Sequence, residues 1–378
     1  MNSTKQYRPT KAVIHLGAIQ KNIQSLRSYL QKETAIIAVV KANGYGHGIV
    51  EVAQAALQAG AKMVAVATPD EAIVLRENGI ESDILVMAPT TANFAKTAAD
   101  LGISVTVSDT VWLQEVMAKK ENWEKHLKIH VKIDCGMGRV GVRSENELQQ
   151  IIDHIRHAKE FQIEGAFTHF PCADDGVVQT TGEQFKRFQQ MLEVFPEKPK
   201  MVHASNSAAT LLYPEYGLDA VRFGISLYGI ASSDYVQEKL PFPLARALTL
   251  ESELSFVKKM AQGQSISYGA TYTTEADEWI GTLPIGYADG LKRGLRGQEV
   301  LIGGLRVPIV GTICMDQCMV KLPKEMSVGE KVVLIGKQGE EEITMEEWAE
   351  RMKTIPYEIT VSISERVQRV YDEEPSLT

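Results

Sequence analysis

The stretch AIIAVVKANGYGHGIVEVAQAALQA, residues 35–59, carries the first reading of the fold. Residues 35–40 are apolar, with the length and Ile/Val content of a buried strand. Lys41 follows at once, then NGYGHG, whose glycines let a backbone turn sharply or approach a ligand closely. IVEVAQAALQA then shows apolar residues at helical spacing. Strand, polar loop and helix make one βα unit, and successive units build parallel strands with right-handed crossovers.

Outward from this stretch the unit repeats. Strands are predicted at 35–40, 63–67, 84–87, 104–107, 128–133, 162–168, 200–203 and 219–223. Helical patterns occupy 49–59, 69–78, 92–101, 110–119, 145–158 and 182–195, and a shorter segment opens at Asn206-Ser207. Eight alternations suit a closed (β/α)8 TIM-type barrel, and a doubly wound open sheet is the alternative. Near residue 241 the texture changes. Pro241 and Pro243 break the chain, and β-type runs follow at 247–260, 278–288, 300–313 and 331–336. Helical pattern survives mainly in TMEEWAERM, 344–352. The expectation is an α/β protein with an N-terminal barrel over 13–240 and a mostly β domain over 241–378. A strand in the 1–12 segment is expected to pair with the second domain.

With 378 residues and 44% hydrophobic content, the chain can fill two cores. A formal charge of −8 argues against nucleic acid as a partner, since phosphate backbones favour basic surfaces. Cys314 and Cys318 form a C-x3-C pair with no second close pair and no His-x3–5-His, so no zinc site is expected and both read as reduced packing residues. The N-terminus MNSTKQYRPT lacks an apolar signal core, and no run reaches the ~18 apolar residues of a membrane helix. A cytoplasmic protein without membrane contact is the expectation.

Barrel chemistry gathers at the C-terminal ends of strands. Lys41 ends the first strand; Lys132, Asp134 and Arg139 surround the end of the fifth. Thr168-His169 ends the sixth, His203 the seventh, Arg222 and Gly224 the eighth. Each alone reads as a snorkelling or solvated side chain. Polar residues at five strand ends read as a site. Ser207 and Gly224-Ile225-Ser226 follow the last two strands, where phosphates commonly bind, although Ser207 also reads as a plain helix cap. A lysine with a phosphate site suggests either a Schiff-base aldolase or an enzyme of pyridoxal phosphate.

VVKANGYGHG (39–48), KIDCGMGRVG (132–141), THFPCADD (168–175), HASNSAA (203–209), VRFGISLYG (221–229), SYGATY (267–272), LPIGYADG (283–290), GTICMDQ (311–317) and RVQRVY (366–371) span nearly the whole chain. Together they resemble the blocks of alanine racemases, a family of barrel-type pyridoxal-phosphate enzymes, in that family's order. The resemblance implies that Lys41 is the Schiff-base lysine and one catalytic base, with Tyr268 the second. It implies that Arg222 faces the pyridine nitrogen of pyridoxal 5′-phosphate, that His169 links that arginine to the tyrosine, and that His203 stacks near the pyridine ring. Tyr45, Ser207, Gly224, Ile225 and Tyr357 match phosphate contacts. Arg139 and Met315 match substrate-carboxylate contacts, and Lys132 matches a lysine that is often carbamylated. A homodimer with shared active sites follows from the same resemblance, with Tyr268 and Met315 acting in trans. So does the interconversion of L- and D-alanine, supplying D-alanine for bacterial peptidoglycan. A serine or broad-spectrum racemase of the same fold is the close rival, and a non-catalytic pyridoxal-phosphate carrier a more distant one. Gly44, Cys135 and Thr312 depart from the residues usual in the family, alanine, threonine and arginine respectively.

Overall fold

In the computed structural model, residues 7–119 and 123–372 are described. Strand β1 is Lys11–His15. Eight short strands follow: β2 (Ala35–Val39), β3 (Met63–Val66), β4 (Asp83–Pro89), β5 (Ile103–Val107), β6 (Leu127–Lys132), β7 (Phe161–Phe167), β8 (Met201–His203) and β9 (Ala220–Phe223). The remaining strands are β10 (Leu248–Glu253), β11 (Phe256–Met260), β12 (Ser265–Ile266), β13 (Tyr272–Thr273), β14 (Glu278–Leu283), β15 (Glu299–Ile302), β16 (Leu305–Val310), β17 (Cys318–Leu322), β18 (Lys331–Gln338), β19 (Glu341–Ile343) and β20 (Gln368–Asp372).

Strands β2 to β9 close into a parallel barrel, so the closed alternative holds over the open sheet. Closure is made by β9 returning to β2, with Ala35 opposite Ala220 and Ala38 opposite Phe223. All residues of β3 and β5 are buried, as expected of strands covered on both faces. The helix Ile49–Gln58 lies where the opening stretch predicts it. Two α-helices of this unit were not expected among the described residues: Leu16–Tyr29, which buries Ile19, Ile23 and Leu26, and the short Asp234–Glu238.

Chain contacts separate a barrel unit, 17–44 with 48–246, from a second unit made of 1–16, 45–47 and 247–375. In the second unit a sheet runs β11-β14-β17-β16-β15-β18-β10-β1-β20, with β19 paired to β18. β1 pairs antiparallel with β10 (Ala12 opposite Leu250) and parallel with β20 (Ala12 opposite Arg369). Position 12 therefore lies inside a strand of this sheet. Two α-helices occur here among the described residues, Met345–Met352 and Pro356–Ser362, where the pattern foresaw mainly the first. The short segment 45–47 joins this unit although its neighbours in sequence belong to the barrel.

Candidate active site

Lys41 begins a turn of unusual hand. Ala42, Asn43, Gly44 and Tyr45 have φ of 52°, 53°, 61° and 51°. Left-handed helical backbone costs a non-glycine L-residue ~1–2 kcal/mol. Hydrogen bonds offset that strain: Gly44 N–H donates to Val40 O (2.8 Å) and Gly48 N–H to Asn43 O (2.9 Å). Asn43 Oδ1 accepts from Ile49 N–H (3.0 Å). Glu71 Oε1 accepts from Ala42 N–H (2.5 Å). Glu71 is itself held by the capping box Thr68-x-x-Glu71 at the start of helix Pro69–Glu77. Lys41 is thus anchored by a strand behind it and a clamped turn in front. Burial, then the charge of Arg139, lowers the Lys41 amine pKa from its ordinary value, with Glu71 opposing.

Two further loops supply cationic groups. After β6, Asp134 folds its loop by accepting from Gly136 N–H (3.0 Å) and Gly138 N–H (2.9 Å). Its carboxylate therefore serves the loop, and among the described residues no acidic group pairs with Lys132. Lys132 is buried with Nζ 4.2 Å from the centroid of the Phe167 ring. Burial, then Arg222 and Arg139, pushes its pKa well down.

Arg222, on β9, is 4% exposed. Its Nη1 donates to His203 Nδ1 (2.8 Å), and Nη2 donates to Thr168 O and Ala204 O (both 2.8 Å). His169 Nδ1 stands 3.4 Å from Nη2. No bond from Nε is found among the described residues. Burial and then Arg139 draw Arg222 down to about 9, so it stays cationic near neutrality. His169 is held down to about 2 by burial first and then by Arg222, Lys132, Arg139 and Lys41. It is a neutral imidazole.

His203, on the neighbouring strand β8, meets Arg222 in the barrel unit. It is fully buried, lies flat on Phe167 (centroids 4.9 Å, planes 9° apart) and has both ring nitrogens engaged. Phe167 covers one face of the ring, and Arg222 is the polar partner of its Nδ1. Ser207, capped into helix Ser207–Leu212 by Asn206, accepts at Oγ from Gly224 N–H (2.9 Å). This ties the loops after β8 and β9 together and leaves the serine proton free to be donated. Ile225 opens the adjoining 3-10 turn.

The second unit holds the other predicted residues in two places. Tyr45 and Tyr357 pair, with ring centroids 6.1 Å apart. Burial raises the Tyr45 hydroxyl above its ordinary pKa. Beside them, Arg369 Nε donates to Gly46 O (3.0 Å), which fixes segment 45–47. Tyr268 and Met315 are 75% and 52% exposed. Thr312 Oγ1 donates to Tyr268 O (2.9 Å), and Ser267 Oγ donates to Thr312 O (2.5 Å). Thr312 is therefore a brace for the Tyr268 turn. Lys41, Lys132, Arg139, His169, His203 and Arg222 form one electrostatic cluster in the barrel unit. Sequence reasoning missed Glu71 and Phe167. The capping box made Glu71 legible as a helix cap, but nothing local signalled its reach to Ala42.

Comparisons with known proteins identify the family. A model described as the alanine racemase N-terminal domain matches residues 14–232, and one described as the C-terminal domain matches 247–371. An alanine racemase of Geobacillus stearothermophilus is 47% identical over 365 residues, covering 97% of this chain and 94% of that protein. The crystal structure of alanine racemase from Bacillus anthracis with bound L-Ala-P matches at TM-score 0.95 and 41% identity, covering 99% of this chain and 97% of that one. Histidine racemase from Leuconostoc mesenteroides subsp. sake matches at TM-score 0.92 and 29% identity, covering 98% of this chain and 100% of that one. With both domain models matched in order and a relative this similar along nearly its whole length, the chain belongs to the alanine racemase family.

Proposed function

We propose that the protein interconverts L- and D-alanine with pyridoxal 5′-phosphate held at the C-terminal ends of the barrel strands. The observation that carries this reading is the donor set. A lysine of lowered pKa ends β2, while a buried arginine has two nitrogens committed to protein acceptors and its Nε–H uncommitted. That set fits the group: Lys41 for its aldehyde, Arg222 for its ring nitrogen, and Ser207, Gly224, Ile225, Tyr45 and Tyr357 for its phosphate. When bound, the cofactor supplies a conjugated ring that stabilises negative charge at the substrate Cα.

The chain's own groups do the rest. Arg139 binds the substrate carboxylate, aided by the Met315 backbone of a second copy. Lys41 takes or returns the α-proton on one face, and Tyr268 of a second copy serves the other. Free lysine and tyrosine titrate near ~10.4 and ~10, so the lowering at Lys41 makes it a better base near neutrality. Arg222 cannot readily give up a proton, so it binds the ring nitrogen without protonating it. His169 joins the arginine to the tyrosine side. Lys132, buried and with its amine pushed well below its ordinary pKa by burial and by Arg222 and Arg139, against the pull of Asp134, is suited to carbamylation. Its amine would add to CO2 and release one proton, giving an anion to hold Arg139. Mass spectrometry of the gently handled protein tests for the added CO2. The exposure of Tyr268 and Met315 suits a homodimer with shared sites. Among the described residues no helix is long and apolar enough to cross a membrane. A cytoplasmic enzyme supplying D-alanine to peptidoglycan is the role proposed.

The structural likeness to a histidine racemase keeps a second reading alive, a racemase of another amino acid. Racemisation measured in both directions on alanine, serine, glutamate, lysine and histidine decides it. Alanine is expected to lead, and a strong preference for another substrate would overturn the substrate assignment.

A further inference from the structure

A line of buried polar side chains leads away from Arg222 through the barrel wall. His203 Nδ1 meets Arg222 Nη1 at 2.8 Å, and His203 Nε2 meets His130 Nδ1 at 3.1 Å. His130 Nε2 lies 3.5 Å from Glu164 Oε2, an ion-pair separation, and makes no hydrogen bond to another described residue, so the carboxylate is the acceptor nearest that nitrogen's proton. Glu164 in turn accepts from Ser104 Oγ (2.7 Å) and pairs with Lys128 (3.2 Å), which also pairs with Asp83 (2.7 Å). Lys128 and Asp83 stand near the starts of β6 and β4, so the line ends at the face of the barrel away from Lys41.

We propose that Glu164 is a positioning residue for Arg222: its carboxylate fixes the protons of His130 and His203, so that His203 presents a bare nitrogen to the guanidinium. What Arg222 holds rests on the function proposed above; the proton order does not. Guanidinium only donates, so His203 Nδ1 must accept, and its proton sits on Nε2. That proton points at His130 Nδ1, which must accept as well, leaving the His130 proton on Nε2, toward Glu164. A carboxylate only accepts. Both ends of the line therefore demand the same direction, and the two imidazoles between them have one compatible arrangement.

The backbone is shaped for this. In the β6–β7 ladder Ile129 faces Ile163 but His130 faces Gly165, so Glu164 is an extra, bulged residue. Bulges re-aim side chains. A Cβ on Gly165 would stand 2.4 Å from His130 Nδ1, so a bare glycine is what lets the imidazole occupy its place. Burial pushes the Glu164 pKa up, but His130, Ser104 and Lys128 outweigh it and hold the carboxyl at about 2. It is charged throughout the working range. His203 is pushed well below its ordinary pKa by burial first, then Arg222, as a neutral relay requires.

The test is the nitrogen-15 NMR spectrum of the histidine side chains in the full-length holoenzyme, with His130 and His203 assigned through single His→Gln variants. Both rings are expected to be neutral with the proton on Nε2; a proton on Nδ1 of either would overturn the proposal. In Glu164→Gln, which keeps the size and loses the charge, both rings should show mixed tautomers. Alanine kcat should then fall about tenfold while KM moves less than twofold, as expected when orientation rather than binding is lost. Unchanged tautomers in a folded Glu164→Gln protein would sink the idea even if activity fell, since that fall would then be structural. Should this variant not fold, Ser104→Ala removes one support of the carboxylate and should blur the His130 tautomer; an unaltered spectrum there counts against the proposal. Absence of racemase activity in the wild type would reject the proposed function and leave the tautomer result to be read by itself.

Discussion

At Gly46 a methyl group has no room. An added Cβ would stand 2.4 Å from Thr360 O, and φ is +84°, where L side chains are strained. Gly46→Ala should cost ~1–3 kcal/mol in backbone strain alone and shift the Tyr45–Tyr357 pair, read as a lower Tm and weaker cofactor retention. Lys41→Ala should lower racemisation by ~10²–10⁴-fold and abolish the visible absorbance expected of a lysine-bound cofactor. Glu164 gives a pH prediction. Its folded pKa, about 2, lies below the ~4.3 of an unfolded glutamate, so the stability it contributes is complete above ~4.3 and is lost as pH falls toward 2. Glu164→Gln should therefore be less stable than wild type at neutral pH, and the two denaturation midpoints should converge near pH 2.

Among elements, helix Leu16–Tyr29 shows what one buried amide does. Asn22 Nδ2 donates to Leu227 O (3.0 Å) and Ala245 O (2.8 Å), while Oδ1 accepts from Ala245 N–H (2.8 Å). Asn22→Leu keeps the volume and strands those backbone groups, so urea titration should show a loss of ~3 kcal/mol. The helix itself was legible in principle, since Leu16, Ile19, Ile23 and Leu26 follow helical spacing, but Asn22 and the polar residues Gln20, Lys21, Gln24, Ser25, Arg27 and Ser28 dilute the apolar pattern. Pro356–Ser362 is hidden for another reason: Ile359, Thr360 and Val361 favour strands, and the proline at its first turn is what starts a helix there. The barrel strands were readable because burial on both faces makes them continuous apolar runs. Lys41 and Arg222 were readable because strand ends mark barrel sites. Glu164 was not, because its direction comes from a bulge, and a bulge leaves no mark in an alternation of five or six residues.

For the whole molecule, the sharpest forecast concerns assembly. If Lys41 and Tyr268 act from different copies of a two-fold dimer, Lys41→Ala and Tyr268→Phe proteins are each inactive but complement when mixed and allowed to exchange. Random exchange puts half the subunits in mixed dimers, each with one intact site, so activity should return to about a quarter of wild type. Mixing that restores nothing under proven exchange would place both residues in the same copy.

The turn after β2 has one more consequence. Ala42 is exposed, with φ 52° and ψ 52°, the mirror image of ordinary helical backbone. A residue of D configuration adopts those angles as readily as an L-residue adopts their negatives. A semisynthetic chain carrying D-alanine at position 42 should therefore melt higher than the natural one. The backbone beside Lys41 would take up, as a building block, the enantiomer that the enzyme is proposed to make.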